Sequence, residues 1–284
     1  MKQMMLNLWH DLITVMLPFQ WADYDFMKDA LLAILLITPL FGLLGTMIVS
    51  NKMAFFSDAL GHGAFTGIAI GSLIGLVSPI FAAVAFSIVF ALVITVIKNK
   101  SRASTDTIIG VFSSIAIALG LVLMSLGGSF NKYSSYLIGD LLSITTSEIL
   151  ILIGVFIIVI FLWSVIFNKL LMVSINQSLA RSRGVNTLLV EMIFTTMIAV
   201  IVTISIQWVG LLIINSLLVL PAAGARNITS NVRQYTLVSV MIAVFSGISG
   251  LIASYYLNTA TGATIVLVSG IIFFLTLAFK SKFE

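Results

Sequence analysis

The chain has 284 residues, of which 60% are hydrophobic and only 8% are charged. Soluble domains carry about 25% charged residues, so this chain lacks the polar groups to cover a soluble surface. The composition excludes a soluble enzyme and a nucleic-acid-binding protein, although the formal net charge is +4. The absence of cysteine excludes disulfides, thiolate metal sites and cysteine nucleophiles.

Residues 1–25 are expected to form an extracytoplasmic segment at the membrane surface, ahead of a transmembrane domain over 26–284. His10 and Asp11 interrupt the first apolar stretch and no small-residue cleavage site follows, so a signal peptide is not indicated. If this segment is helical, its apolar residues fall on one face, which is typical of an amphipathic helix at the membrane surface. That face carries Met5, Trp9, Leu12, Ile13 and Met16.

The rest of the chain predicts an all-α membrane bundle of eight or nine transmembrane helices. Each candidate span is close to the length of about 20 residues that crosses a bilayer. The 187–225 stretch is interpreted as either one broken helix or two short ones, with a bend at 208–210. The candidates are 30–50, 54–77, 79–97, 107–127, 148–168, 187–208, 209–225, 234–257 and 261–279.

Basic residues alternate between connections, which indicates orientation. By the positive-inside rule the N-terminus is outside and the C-terminus lies in the cytoplasm of a bacterial cell. Opposite ends require an odd number of crossings, which favours nine over eight. The predicted cytoplasmic positions are Lys52, Lys98, Lys100, Arg102, Lys169, Arg181, Arg183, Arg226, Arg233, Lys280 and Lys282, whereas Lys2, Lys28 and Lys132 fall on the other side.

The second span differs from the others because it carries a carboxylate and an imidazole. Asp58 and His62 are four residues apart and share a helical face, which Thr66 continues. At about 1.5 Å per residue, His62 lies roughly 13 Å along a helix counted from Met53. Ionisable groups at such depth normally face a bundle interior or a water-filled path, and this pair is a partial site for a divalent ion. Alternatively, Asp58 caps the helix and His62 is a packed polar residue.

Small residues form a second stripe on the same span and favour close helix packing. They are Ala59, Gly63, Gly67, Gly71 and Gly75. Elsewhere, Gln207 and Asn215 flank the predicted bend and either line a path or hydrogen-bond between helices. Glu191 is interpreted as an interfacial residue at the start of its span.

The longest predicted cytoplasmic loop, 168–186, is polar and basic. It could contain a short helix that ends at Gly184 as its C-cap. Such a helix would dock on a soluble partner; alternatively, the loop only fixes topology.

Four segments make the chain resemble the manganese/zinc/iron class of ABC importer permeases (ABC-3 type). Lys52 to His62 is similar to the family's basic-Met-Ala…Asp-Ala-Leu-Ser-His motif, with Gly61 in place of Ser. Leu179 to Val185 is similar to the Ala-x-x-x-Gly loop that engages the ATPase, although Asn176-Gln177 stands where an acidic residue is frequent. The other two are Phe26–Leu32 with Gly42–Thr46, and Gly210–Ala223 with its Leu-Leu-Val-Leu-Pro-Ala-Ala run.

The resemblance implies a type II importer fold and a pore subunit without enzymatic activity. Two copies would form the path, a cytoplasmic ATPase dimer would bind the 168–186 loops, and an extracytoplasmic metal-binding protein would deliver zinc or manganese, or iron. Asp58 and His62 would line the metal path, with Thr66 and Asn215 as weaker candidates. No cofactor would be bound permanently. The residues expected to couple to the ATPase are Leu179, Ala180, Arg181 and Gly184.

The sequence bears on two other functional classes, a secondary transporter and a membrane protease. The sequence contains no G-x-x-x-x-G-K-[ST] phosphate loop, so ATP chemistry would belong to another subunit. A stand-alone ion-coupled secondary transporter is the alternative, and the 187–225 break is the only feature that favours it. An intramembrane metalloprotease is excluded because His10 and His62 are the only histidines.

Overall fold

The computed structural model describes residues 9–14, 19–76, 78–127 and 139–279, and all regular structure in these ranges is helical. The long helices are α1 (Asp25–Ser50), α2 (Phe56–Leu73), α3 (Ile80–Lys100), α4 (Thr105–Gly127), α5 (Thr146–Ile175), α7 (Thr187–Val209), α8 (Leu211–Asn227), α9 (Val232–Leu257) and α10 (Thr261–Phe279), and a short helix, α6 (Gln177–Ser182), lies between α5 and α7. Single 3₁₀ turns occur at Gln20–Asp23 and Leu141–Ser143.

Each of the nine predicted segments coincides with one long helix, which confirms the all-helical fold. Seven of the helices in the described ranges are long and apolar enough to cross a membrane. The other two are α2, which carries Asp58 and His62, and α8, which has 17 residues. The number of crossings, eight or nine, stays a prediction.

Helix α1 lies in the core of the bundle, where it contacts α5, α8 and α9. Apolar side chains on every side of α1 are buried, as expected for a helix surrounded by others. The contact with α9 is close: Ser239 donates a hydrogen bond to the Gly42 carbonyl (2.6 Å). A Cβ at Gly42 would lie 2.7 Å from the Cα of Val240, so glycine permits this approach.

The predicted bend in 187–225 is confirmed at Gly210. This residue has φ +88° and ends α7, while its carbonyl accepts from Ile213 and Ile214 to begin α8. A left-handed backbone conformation of this kind favours glycine. The stretch is therefore two helices, of 23 and 17 residues.

Helix α5 is longer than the predicted span 148–168 and extends into the predicted loop 168–186. Helix α5 continues to Ile175, because the apolar run 170–173 follows Asn168 and Lys169 and keeps burying side chains such as Leu170 and Val173. The connection to α7 is therefore shorter than expected and is mostly α6.

The described part of the N-terminal segment, residues 9–14, packs against the start of α1. Trp9 donates to the Lys28 carbonyl (2.9 Å), and His10 Nε2 lies 2.9 Å from Asp29 Oδ1. Ile13 is buried but Leu12 is half-exposed, so the predicted apolar face is not all turned toward the protein. Met5 and Met16 lie outside the described residues, as do Lys2, Lys132, Lys280 and Lys282.

Candidate metal-binding site in the membrane bundle

Asp58 and His62 lie one turn apart on α2 with their side chains together. The distance from Asp58 Oδ2 to His62 Nε2 is 3.5 Å, and the two side chains are 38% and 20% exposed. Most other residues of α2 are buried. The pair therefore occupies the face of α2 that is open at the surface of the single chain.

The alternative in which Asp58 caps a helix has no support in the described part of the chain. The N-cap of α2 is Phe55, and no side chain there accepts a capping hydrogen bond. Asp58 lies in the first turn, where the helix dipole stabilises a carboxylate without such a bond. Its side-chain partner is His62.

The glycine stripe lies on the opposite side of α2, against α3. A Cβ at Gly67 would lie 2.6 Å from Ala83 Cα, one at Gly71 2.9 Å from Ala82 Cβ, and one at Gly63 2.9 Å from the Phe90 ring. Residues 63, 67 and 71 are roughly half a turn round the helix from 58 and 62. Close packing on α3 therefore leaves the Asp58 and His62 side of α2 facing away from α3.

Thr66 and Asn215 both make hydrogen bonds between helices. The buried Thr66 hydroxyl donates to the Ala116 carbonyl of α4 (2.6 Å). Asn215 Oδ1 accepts from the hydroxyl of Ser57, the residue before Asp58, and so joins α8 to the first turn of α2. Whether either residue also lines a path stays a prediction.

The pair offers one imidazole nitrogen and carboxylate oxygens, a donor set that suits zinc, manganese and iron(II). Among the described residues no group of three or more His, Cys, Asp or Glu side chains is placed to hold a metal ion. If the pair binds a metal ion, one chain would therefore supply only part of a coordination shell. An open shell of this kind suits an ion that is passed on, because a closed four-ligand cage retains its ion.

Comparison with known proteins places the chain among transporters. The model of the ABC 3 transport family matches residues 23–280, which is most of the chain. The chain belongs to this family. The resemblance drawn from the four sequence segments is confirmed, and so is the interpretation as a multi-pass permease of an ABC transporter.

Individual relatives are similar to this chain in length, and one solved structure is similar to it in fold. The manganese transport system membrane protein MntC of Listeria monocytogenes is 30% identical, with 92% of each chain covered. The high-affinity zinc uptake system membrane protein ZnuB of Haemophilus influenzae is 31% identical over 89% of this chain and 97% of its own. The solved structure of PsaBC from Streptococcus pneumoniae in complex with Fab superposes with a TM-score of 0.77, at 26% identity and 91% coverage of both chains.

The segment that resembles the family's ATPase-engaging loop forms α6 and its C-terminal cap. Val185 N–H donates to Ala180 O, and Gly184 N–H to Arg181 O, both at 3.0 Å, which is a Schellman motif. Gly184 has φ +76°, so the predicted glycine C-cap is confirmed. Leu179 is half-exposed and Arg181 is exposed, whereas Ala180 is buried against the bundle.

A buried carboxylate behind α6 was missed as a candidate. Glu191 in α7 is only 4% exposed, so its side chain lies inside the protein. Its predicted location near the membrane interface stays a prediction. It accepts from the Gln177 amide of α6 (2.8 Å) and from the Asn99 amide of α3 (2.6 Å). Lys98 Nζ lies 3.4 Å from its carboxylate. The signal in the sequence is a lone carboxylate inside an otherwise apolar run.

Proposed function

We propose that this chain is the permease subunit of an ATP-driven importer that carries a divalent transition metal, zinc or manganese, through the bacterial cell membrane. The observation that carries the proposal is the contact between Asp58 and His62 on the open face of a helix that is mostly buried. A desolvated charge is costly unless it is paired or binds an ion, so an intramembrane pair of this kind favours a role in cation passage.

Two copies of the chain would complete the path. The Asp58 side of α2 faces away from α3 and is open in a single chain, so a two-fold axis along this face would bring two such pairs together. Four donor groups, two imidazoles and two carboxylates, would then face one cation. Borderline divalent ions accept this combination of ligands.

Energy would come from a cytoplasmic ATPase dimer that binds α6. The exposed Leu179 and Arg181 present an apolar and a cationic group at the end of the bundle that carries most basic residues. An extracytoplasmic binding protein would deliver the ion at the other end. The N-terminus would be outside and the C-terminus in the cytoplasm, as the distribution of Lys and Arg predicts.

Reconstitution tests the proposal against the secondary-transporter alternative, which the family match does not favour. The chain is placed in liposomes with its ATPase and binding protein, and uptake of Zn²⁺ and Mn²⁺ is followed with ATP or with an imposed proton or sodium gradient. We expect uptake that requires ATP and the ATPase. Uptake by the chain alone, driven by an ion gradient, would contradict the proposal.

A further inference from the structure

Glu191 joins three separate helices at the end of the bundle that carries α6. One carboxylate oxygen accepts from Gln177, the first residue of α6, and the other accepts from Asn99 in the last turn of α3. Glu191 itself belongs to the first turns of α7. A carboxylate offers two acceptor oxygens, so a single side chain can hold both amides at once.

A buried ion pair is poor evidence for stability, because apolar side chains of similar volume usually serve as well. Glu191 and Lys98 are 5% and 14% exposed in their side chains, so neither is screened by much solvent. The arrangement therefore points to a requirement for defined contacts between the helices and not for stability alone.

The network continues from Glu191 toward α2, the helix that carries Asp58 and His62. Lys98 Nζ, 3.4 Å from Glu191, is also 3.7 Å from the sulfur of Met53, which precedes α2. One turn further along α7, the hydroxyl of Thr195 lies 2.9 Å from that of Thr95 on α3. Two polar contacts one turn apart, Asn99 with Glu191 and Thr95 with Thr195, thus link α3 to α7.

Helix α3 is in turn packed against the backbone of α2. The contacts of Gly67 with Ala83, and of Gly71 with Ala82, leave no space between the two helices. Any displacement of α3 along or away from α7 must therefore move α2, because packed interiors transmit shifts. Asp58 and His62 are carried on the other face of α2.

We infer that Glu191 is a positioning residue that couples α6 to the metal-binding helix, through Asn99 and Lys98 of α3 and the glycine stripe of α2. The inference rests on the proposed function, since it assumes that α6 binds the ATPase. Contiguous hydrogen-bonded and packed groups of this kind carry energetic coupling between distant sites. In this arrangement Glu191 would act through α6 and α3, and not by binding the metal or the ATPase itself.

The test is the ratio of metal transported to ATP hydrolysed in the reconstituted complex of permease, ATPase and binding protein. E191Q keeps the shape of the side chain but leaves one acceptor oxygen, so it can hold only one of the two amides. Q177A removes the amide of α6 and leaves Asn99 and Lys98 on Glu191. We expect each variant to lower the ratio about fivefold or more while ATP hydrolysis continues.

The double variant E191Q/Q177A should show no further loss, because both changes break one linkage. E148Q is the matched control, because Glu148 also accepts a hydrogen bond from a glutamine amide, that of Gln207 (2.6 Å). Glu148 lies in the first turn of α5, whereas α6 follows the last turn of α5. This control should leave the ratio unchanged. If E191Q fails to assemble, Q177A alone carries the test, since Gln177 is partly exposed and starts α6.

Several outcomes would overturn the inference. One is that uptake and hydrolysis fall in proportion in E191Q and Q177A, as expected of a merely structural residue; another is that neither falls. Losses that multiply in the double variant, or an equal effect of E148Q, would also contradict it. Absence of ATP-driven uptake in the unmodified complex would instead contradict the proposed function.

Discussion

Gly67 of α2 lies so close to α3 that a Cβ at this position would be 2.6 Å from the Cα of Ala83 and 3.0 Å from the carbonyl oxygen of Ala82. Both neighbours are backbone atoms, which cannot rotate away as a side chain end can. The contact therefore fixes how near α2 and α3 can come, and with it the direction in which Asp58 and His62 face.

We expect Gly67→Ala to push α3 from α2 and to lower stability by about 1–3 kcal/mol, the usual cost of overpacking. Thermal unfolding of the purified protein in detergent measures this loss. Gly110→Ala is the control, because a Cβ at Gly110 on α4 would meet nothing within 4 Å. Equal unfolding temperatures for the two variants would show that the α2–α3 contact is not tight.

Asp58→Asn and His62→Gln should each abolish metal uptake without loss of folding, because each removes one of the few ligands proposed for the ion. Uptake of Zn²⁺ and Mn²⁺ by reconstituted protein checks this, with the elution profile on size exclusion as the test of folding. Asp106→Asn is the matched control, a carboxylate in the first turn of α4 that is exposed. Normal uptake in either site variant would remove that residue from the proposed path.

Helix positions were largely predictable from sequence, since apolar runs of about 20 residues in a chain this poor in charge admit few other structures. The bend at Gly210 was predictable because glycine follows Trp208 and Val209 between two apolar runs. The end of α5 was not predictable from the sequence. Asn168 and Lys169 mark a plausible membrane boundary, but a helix does not end where the membrane ends, and α5 continues to Ile175.

The candidate site was partly predictable from sequence, because part of it depends only on local helical structure. Asp58 and His62 are four residues apart, so helical periodicity alone brings them together. The surroundings of Glu191 depend on contacts across the fold, since Gln177 and Asn99 are 14 and 92 residues away in sequence. No local pattern contains that information.

Gly184→Ala should weaken binding of the ATPase subunit. Its φ of +76° closes the Schellman motif of α6, and a side chain in the left-handed region costs about 1–2 kcal/mol. Gly184→Asn is the matched variant, because asparagine tolerates this conformation better than alanine. Copurification of the ATPase with each variant measures the effect. Equal recovery with alanine and asparagine would show that the cap of α6 does not support docking.

Thr195→Val should lower stability, whereas Thr203→Val on the same helix should not. The Thr195 hydroxyl lies 2.9 Å from Thr95 of α3, so valine removes a contact between helices that is worth about 0.6 kcal/mol on average in membrane proteins. The Thr203 hydroxyl is fully buried and has no hydrogen-bond partner among the described residues. A buried hydroxyl without a partner costs about 1–3 kcal/mol, so its removal is neutral or stabilising.

Both threonines lie on α7 and both substitutions keep the β-branched shape, so packing and helix propensity change equally. The comparison of unfolding temperatures in detergent therefore isolates the hydroxyl of Thr195. A larger drop in unfolding temperature for Thr195→Val than for Thr203→Val means that the contact between Thr95 and Thr195 helps to hold α3 against α7. If Thr203→Val is the more damaging of the two, the fastening of α3 to α7 does not depend on Thr195, and Glu191 would have to supply it alone.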